Sequence, residues 1–172
     1  CALPIFEVSE LLIELVPCAE MVRFGKNGSD VTSAAIRLAR AYTNRDLIAT
    51  CGYHGWHDWY IGSTSRNKGV PQSIRDLTFS FIYNEIASLK LLFDKFPNRI
   101  AAVMIEPMNV EFPRKNFLNE VRDLCTRNGA VLIFDETITG FRFSSGGAQE
   151  EFIVTPDLAT FGKGIADRKS TR

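Results

Sequence analysis

The sequence lacks an excess of either charge, because 20 basic residues are balanced by 20 acidic ones. Proteins that bind nucleic acids or anionic membranes usually carry a basic surplus, so the balance argues against both partners and favours a small-molecule ligand. The chain also lacks an uninterrupted apolar run of the roughly twenty residues that a membrane-spanning helix needs. Glu7, Glu10 and Glu14 interrupt the early apolar stretch, which excludes a signal peptide there. A cytoplasmic protein is the expectation.

Paired cysteines and a nucleotide-binding loop are missing as well. Cys1, Cys18, Cys51 and Cys125 are scattered without a C-x-x-C pair, so we predict reduced thiols. The apolar run 131–134 followed by an Asp-Glu pair resembles the Walker B strand of an ATPase. However, no G-x-x-x-x-G-K-[ST] motif occurs in the sequence, which argues against that class of protein.

What the sequence does contain is a regular alternation of helical and strand patterns. With 45% hydrophobic and 23% charged residues, the composition is that of one globular domain of ordinary size. The alternation predicts an α/β protein, a three-layer α/β/α sandwich around a mostly parallel sheet. The predicted helices are 9–16, 29–43, 85–96 and 116–128, and the predicted strands are 21–24, 47–50, 77–81, 100–105, 131–134 and 158–161.

The second predicted helix follows a Lys-Asn-Gly turn. Ser29 or Asp30 is its expected N-cap, and its expected buried stripe is Val31, Ala34, Ala35, Leu38, Ala39 and Tyr42. A glycine turn before a helix leaves backbone N–H groups free, and these can bind a phosphate. An ordinary helix cap explains the same pattern, so both interpretations stay open at this point.

The stretch 51–60 is the most aromatic of the chain. Cys51, His54 and His57 stand three residues apart, and together with Asp58 they could serve as zinc ligands. These are the only two histidines, however, and no second cluster completes a site, so no metal is expected. Tyr53 or Trp56 can stack on a flat heterocycle, whereas an aromatic packing loop explains the pattern equally well.

Charged residues follow three of the predicted strands. Asp135 and Glu136 come after 131–134, Glu106 comes after 100–105, and Lys163 comes after 158–161 between two glycines. In an open α/β sheet, ligands bind at the edge where the strands end. We therefore expect an acid and an amine to face one ligand, although solvated surface charges are the simpler explanation for each residue alone.

Five segments, taken in this order and spacing, resemble the class III aminotransferases. They are NGSDVTSAAIRLAR, CGYHGWHDWYIG, IEP, LIFDETITGFR and TPDLATFGKGIA, and they are most similar to the glutamate-1-semialdehyde 2,1-aminomutase branch. The resemblance implies a pyridoxal phosphate enzyme of fold type I, an aminotransferase or aminomutase. It would act on a small-molecule amino donor or acceptor and form a homodimer as a full-length protein.

The resemblance also implies roles for the residues at the strand ends. Lys163 matches the lysine that holds the cofactor as a Schiff base and later moves a proton. Asp135 matches the aspartate that keeps the pyridine nitrogen protonated, which makes the ring an electron sink. Thr137 occupies the place of a small apolar residue, often valine, that packs on the ring. A hydroxyl at this position is a departure from the family pattern.

The remaining predicted site residues come from the two earlier segments. Gly28, Ser29 and Asp30 match the turn that binds the cofactor's phosphate. Tyr53 matches the aromatic residue that stacks on the ring, and His54 lies beside it in the sequence. The family resemblance thus gives one common ligand, pyridoxal 5'-phosphate, to both weak patterns.

The ends of the chain depart from the family. We expect residues 1–172 to form the central part of the cofactor-binding large domain, without its N-terminal segment and C-terminal small domain, and 167–172 to be a non-family tail. The alternative hypothesis is a truncated remnant that keeps the fold without a complete site. A nucleotide or metal binder that uses Asp135 and Glu136 or the aromatic stretch is a third.

Overall fold

A computed structural model describes residues 3–165 of the chain. In this part, five strands form one sheet in the order β2-β1-β3-β4-β5, and every neighbouring pair is parallel. The strands are β1 (Leu47–Cys51), β2 (Thr78–Ser80), β3 (Ile100–Ile105), β4 (Val131–Glu136) and β5 (Leu158–Phe161). The helices are α1 (Leu3–Leu15), α2 (Gly28–Thr43), α3 (Asp58–Ile61), α4 (Gln72–Arg75), α5 (Ile86–Lys95), α6 (Phe117–Asn128) and α7 (Ala148–Glu151), and a 3-10 turn spans Lys163–Ile165.

Helices cover both faces of the sheet, so the predicted sandwich is confirmed. Successive side chains of a strand point to opposite faces. Leu132 and Phe134 of β4 therefore pack with α5 and α6, whereas Ile133 packs with α2 on the other side. Since both faces are buried, the strands are continuous apolar runs rather than alternating ones, which is typical of parallel sheets.

The order of the strands places a switch point between β1 and β3. From β1 the chain adds β2 on one side, and the later strands are added on the other side. In sheets of this kind, loops that leave neighbouring strands at the switch point separate and form a crevice. The loop after β1 and the end of β3 border that crevice, which positions the candidate site described below.

Two predictions for the first thirty residues were wrong. Residues 21–24 form no strand and pair with none in the described part of the chain, and Met21 is 89% exposed. Helix α1 already begins at Leu3, so Ser9 lies inside it rather than at its N-cap. The Ser9 hydroxyl donates to the carbonyl oxygen of Ile5 at 2.8 Å, the usual bond of a serine within a helix.

Helix α2 exists as predicted, but its N-cap and its buried face differ from the prediction. Asn27 is the N-cap, and its side chain accepts a hydrogen bond from the main-chain N–H of Asp30 at 3.1 Å. Leu38 is 57% exposed and Tyr42 is 85% exposed. The buried residues are Ser29, Thr32, Ala35, Ile36 and Ala39. Polar residues can face the core here because their hydroxyls are hydrogen-bonded, as described for the site below.

Two local features of the remaining chain also needed the structure. The short helices α3, α4 and α7 lie in segments whose patterns do not predict a helix. Gly129 ends α6 in the left-handed region, at φ 60°, as predicted. Asn116 stands at the N-cap of the same helix, but its side chain makes no capping hydrogen bond.

Candidate active site

A cavity of about 360 Å³ lies at the carboxyl edge of the sheet, beside the switch point. Its volume is within the range of small-ligand sites. Seven of the eight predicted site residues line it: Gly28, Ser29, Tyr53, His54, Asp135, Thr137 and Lys163. Asn27, Thr32, Gly55, Trp56, Glu106 and Gly162 complete the lining. The fold thus brings residues from five separate segments together at one place.

Asp30 is the predicted residue that does not line the cavity. Its carboxylate lies 3.8 Å from Nε2 of His57, and its main-chain N–H is bonded to the Asn27 side chain. The main-chain N–H of Asp30 is therefore already used in the helix cap. The predicted contact of Asp30 with a phosphate is not supported by its position.

Asp135 is the most constrained acid of the cavity. It is only 2% exposed, and its Oδ2 accepts a hydrogen bond from Nδ1 of His54 at 2.9 Å. Its Oδ1 accepts bonds from the hydroxyls of Thr137 at 2.6 Å and Thr160 at 3.1 Å, and from the N–H of Thr137 at 3.2 Å. Burial by itself raises the pKa of Asp135, but the hydrogen bond and the charge of His54, together with the hydrogen bonds from Thr137, outweigh it and hold this pKa below the usual value.

His54 is buried behind Asp135, with a side chain that is 0% exposed. An ionised carboxylate only accepts hydrogen bonds, so the proton of the imidazole sits on Nδ1. Nε2 has no partner within the described residues. The rings of Trp59, at 6.3 Å between centroids, and Tyr60, at 5.2 Å, hold the imidazole in place. His54 is therefore fixed in position, and its hydrogen bond stabilises the negative charge of Asp135.

The start of α2 lies on the opposite wall, and we call it the anion-binding turn because its free N–H groups suit an anion. The main-chain N–H groups of Gly28 and Ser29 have no partner among residues 3–165, as expected for the first turn of a helix. The loop after β1 is pinned against this turn: the N–H of Trp56 donates to the Ser29 hydroxyl at 3.4 Å, and Thr32 donates to the carbonyl oxygen of His54 at 3.0 Å. The free N–H groups and the helix dipole together favour an anion here.

Glu106 is a further residue of the site. Its place after β3 predicted that it lies at the carboxyl edge of the sheet, but the sequence did not predict its role. It is 3% exposed, and its Oε2 accepts hydrogen bonds from the N–H of Tyr53 at 2.9 Å and from the Asn109 side chain. Burial raises the pKa of Glu106. A Cβ at Gly52 would lie 2.5 Å from Oε2, so a glycine is required for this close approach. Glu106 therefore fixes the backbone that presents Tyr53.

Lys163 follows β5 at the mouth of the cavity. It is exposed and has a positive φ of 39° between its two glycine neighbours. A larger cavity of about 700 Å³, bounded largely by α1 and residues 21–28, lies on its other side. The lining of this larger cavity is mainly apolar, whereas the smaller one holds the buried acids, so the smaller one is the candidate active site.

The geometry does not support the zinc hypothesis. Cys51 packs into the core with α5 and α6, His54 turns to Asp135, and His57 turns to the Ser33 hydroxyl at 2.8 Å. The three side chains diverge, and within residues 3–165 no group of three or more His, Cys, Asp or Glu side chains could hold a metal ion.

The Walker B hypothesis is not supported either. Glu136 is fully buried and points away from the cavity, where its carboxylate accepts bonds from the N–H groups of Ala148 at 2.8 Å and Gln149 at 3.0 Å. Glu136 is thus a structural acid that fixes the start of α7.

Among the described helices, none is long and apolar enough to cross a membrane.

Fold and site together define an α/β protein with a cavity beside its switch point, lined by the start of α2, a buried acid and a lysine. The family described as aminotransferase class-III matches residues 2–168. The chain belongs to this family, which confirms the resemblance noted in the sequence.

Named relatives cover most of this chain but are themselves much longer. The glutamate-1-semialdehyde 2,1-aminomutase of Alkaliphilus oremlandii is 47% identical over 173 residues, which is 91% of this chain and 41% of that protein. The 3-aminobutyryl-CoA aminotransferase of Cloacimonas acidaminovorans is 43% identical over 162 residues, which is 91% of this chain and 38% of that protein. The chain thus spans about 40% of the length of these relatives.

Solved structures show the same fold. An omega-transaminase from Sphaerobacter thermophilus superimposes with a TM-score of 0.82 at 34% identity, covering 92% of this chain and 41% of that one. The FumI protein of Sphingopyxis sp. MTA144, solved with PLP, gives a TM-score of 0.86 at 32% identity, covering 92% and 40% of the two chains. Both are consistent with fold type I, as predicted.

Proposed function

We propose that this chain is the cofactor-binding core of a pyridoxal phosphate-dependent enzyme that transfers an amino group, as an aminotransferase or a 2,1-aminomutase. The observation that carries the proposal is the meeting of Asp135, Lys163 and the free N–H groups of α2 in one cavity. The names of the relatives and the PLP in the FumI structure support it.

The donor set fits this cofactor group by group. The N–H groups of Gly28 and Ser29, with the Ser29 hydroxyl, would hold the phosphate, because they offer free donors at the positive end of a helix dipole. Asp135, kept ionised by His54, would hold the N–H of the pyridine ring. Tyr53 is 59% exposed at the cavity, so its ring face is free to cover an aromatic ligand.

Lys163 would supply the reactive amine. When bound, pyridoxal phosphate acts as an electron sink that weakens the bonds at the substrate carbon next to the amino group. The Lys163 amine would hold the cofactor covalently and, once freed, move a proton to or from that carbon. Asp135 would keep its charge throughout, because its hydrogen bonds from His54, Thr137 and Thr160 all favour the ionised form.

A half-reaction tests the proposal. The protein that carries this chain is loaded with pyridoxal phosphate and mixed with a panel of amino donors, and conversion of the cofactor to its amine form is followed by absorbance. We expect conversion with the wild type and with Lys90→Ala, a surface control at an exposed lysine that pairs with Asp94, and none with Lys163→Ala. If Lys163→Ala converts the cofactor as fast as the wild type does, the proposed role of Lys163 is wrong. Failure of the wild type to bind the cofactor at all would favour the remnant hypothesis.

Three further assignments belong to this proposal. The substrate is a small amino or carbonyl compound, the whole protein acts as a homodimer, and it works in the cytoplasm. The free thiols of Cys18, Cys51 and Cys125 support a reducing compartment. The exposed apolar side chains Leu38 and Tyr42 on α2 support a contact with another surface.

A further inference from the structure

The hydroxyl and the methyl group of Thr137 have different nearest neighbours. Its hydroxyl oxygen lies 2.6 Å from Oδ1 of Asp135, and its main-chain N–H lies 3.2 Å from the same oxygen. Its methyl group faces the glycine turns: Cγ2 is 3.6 Å from the Cβ position of Gly28 and 3.1 Å from that of Gly162. A valine would keep these methyl contacts and lose the bond to Asp135, and its second methyl group would have to move away from Oδ1. An alanine or a serine places no methyl group there.

The two oxygens of Asp135 are unequally occupied. Oδ1 accepts from the Thr137 hydroxyl, the Thr137 N–H and the Thr160 hydroxyl, whereas Oδ2 accepts from Nδ1 of His54. A carboxylate oxygen has about two lone-pair positions for donors. Oδ1 is therefore saturated, and Oδ2 has the remaining capacity for one more donor.

We propose that Thr137 is a positioning residue: its hydroxyl fixes Oδ1 of Asp135, so that Oδ2 is the oxygen that receives the ring N–H of a heterocyclic cofactor. This inference rests on the proposed function and extends it to a residue that does not itself react. An ionised carboxylate has no proton to donate, so the Thr137 hydroxyl is the donor in this bond. It also stabilises the negative charge on which the attraction to a protonated ring depends.

The test measures the affinity of the protein that carries this chain for pyridoxal phosphate, over a series of pH values. Thr137→Val removes the hydroxyl, Thr137→Ser keeps it, and Ile138→Val is a control at the exposed neighbouring position. Loss of one hydrogen bond to a charged group predicts an affinity about tenfold to a hundredfold weaker for Thr137→Val near neutral pH. Thr137→Ser and Ile138→Val should stay within about twofold of the wild type, well below that effect.

The pH profile separates this role from a packing role. Without the hydroxyl, Asp135 takes up its proton at a higher pH, so the loss of affinity on acidification should begin at a higher pH in Thr137→Val than in Thr137→Ser. Thr137→Ala is measured as well, because alanine and serine both lack the methyl group and differ by the hydroxyl alone.

The outcomes distinguish the inference from the proposed function. If the wild type binds the cofactor and the valine or alanine variant matches the serine variant in affinity and pH profile, the assignment of Thr137 is overturned and the proposed function stands. If the wild type does not bind the cofactor, both are overturned.

Discussion

Gly55→Ala is the substitution whose cost follows most directly from the structure. Gly55 has a φ of 102°, and a Cβ built there would lie 2.9 Å from Cβ of Ser29, at the anion-binding turn. An alanine at positive φ costs about 1–2 kcal/mol. The forced contact with Ser29 adds about 1–3 kcal/mol, as for other overpacked sites. We therefore expect a loss of about 2–5 kcal/mol in the free energy of unfolding.

Gly69→Ala is the matched control for this experiment. Gly69 also has a positive φ, 88°, but a Cβ there meets nothing within 4 Å. It should therefore cost only the backbone part, about 1–2 kcal/mol. Urea unfolding of the two variants gives the difference, which we expect to be about 1–3 kcal/mol. The affinity for pyridoxal phosphate should fall in Gly55→Ala alone, because only this substitution displaces Ser29. Equal stability and equal affinity in the two variants would refute the reasoning that the loop after β1 is packed on the anion-binding turn.

Three further predictions concern charge, thiols and exposed surface. The pKa of Asp135 is lowered on folding, so its carboxylate stabilises the fold above its unfolded pKa of about 4 and loses this effect as the pH falls through the folded value. Asp135→Asn should therefore have a lower melting temperature than the wild type near pH 7, and the difference should shrink on acidification. A difference that stays constant with pH would contradict the assignment. Burial raises the pKa of Cys51 and Cys125 to about 12 and that of Cys18 to about 11. These thiols should therefore react with iodoacetamide at pH 8 far more slowly in the folded than in the unfolded chain. Mass spectra of the labelled peptides measure the rates, and equal rates would exclude such burial. Phe6 and Leu11 of α1 are 64% and 52% exposed, so the isolated chain should self-associate in light scattering, whereas a monodisperse monomer would show that this surface is tolerated.

The strands and the long helices could be predicted because each has one dominant local signal. Residues 131–134 are four consecutive apolar residues, as expected for a parallel strand that is buried on both faces, and β4 forms there. Gly129 ends α6 because the left-handed position favours glycine, and this needs no tertiary information.

The parts that could not be predicted depend on contacts between distant segments. Hydrophobicity placed Leu38 and Tyr42 on the buried face of α2, whereas Thr32 is buried there because its hydroxyl finds the carbonyl oxygen of His54, 22 residues away. Likewise, Asp135 and Glu136 are adjacent in sequence and identical in pattern. The family resemblance singled out Asp135, and the packing of α7 shows in addition that Glu136 is structural.

The central claim is that Lys163 is the residue that holds the cofactor, and covalent mapping tests it most directly. The protein that carries this chain is incubated with pyridoxal phosphate, reduced with borohydride, digested and analysed by mass spectrometry. The account predicts that the reduced cofactor is found on the peptide that contains Lys163. Labelling spread over exposed lysines such as Lys68 and Lys90, without preference for Lys163, would contradict it.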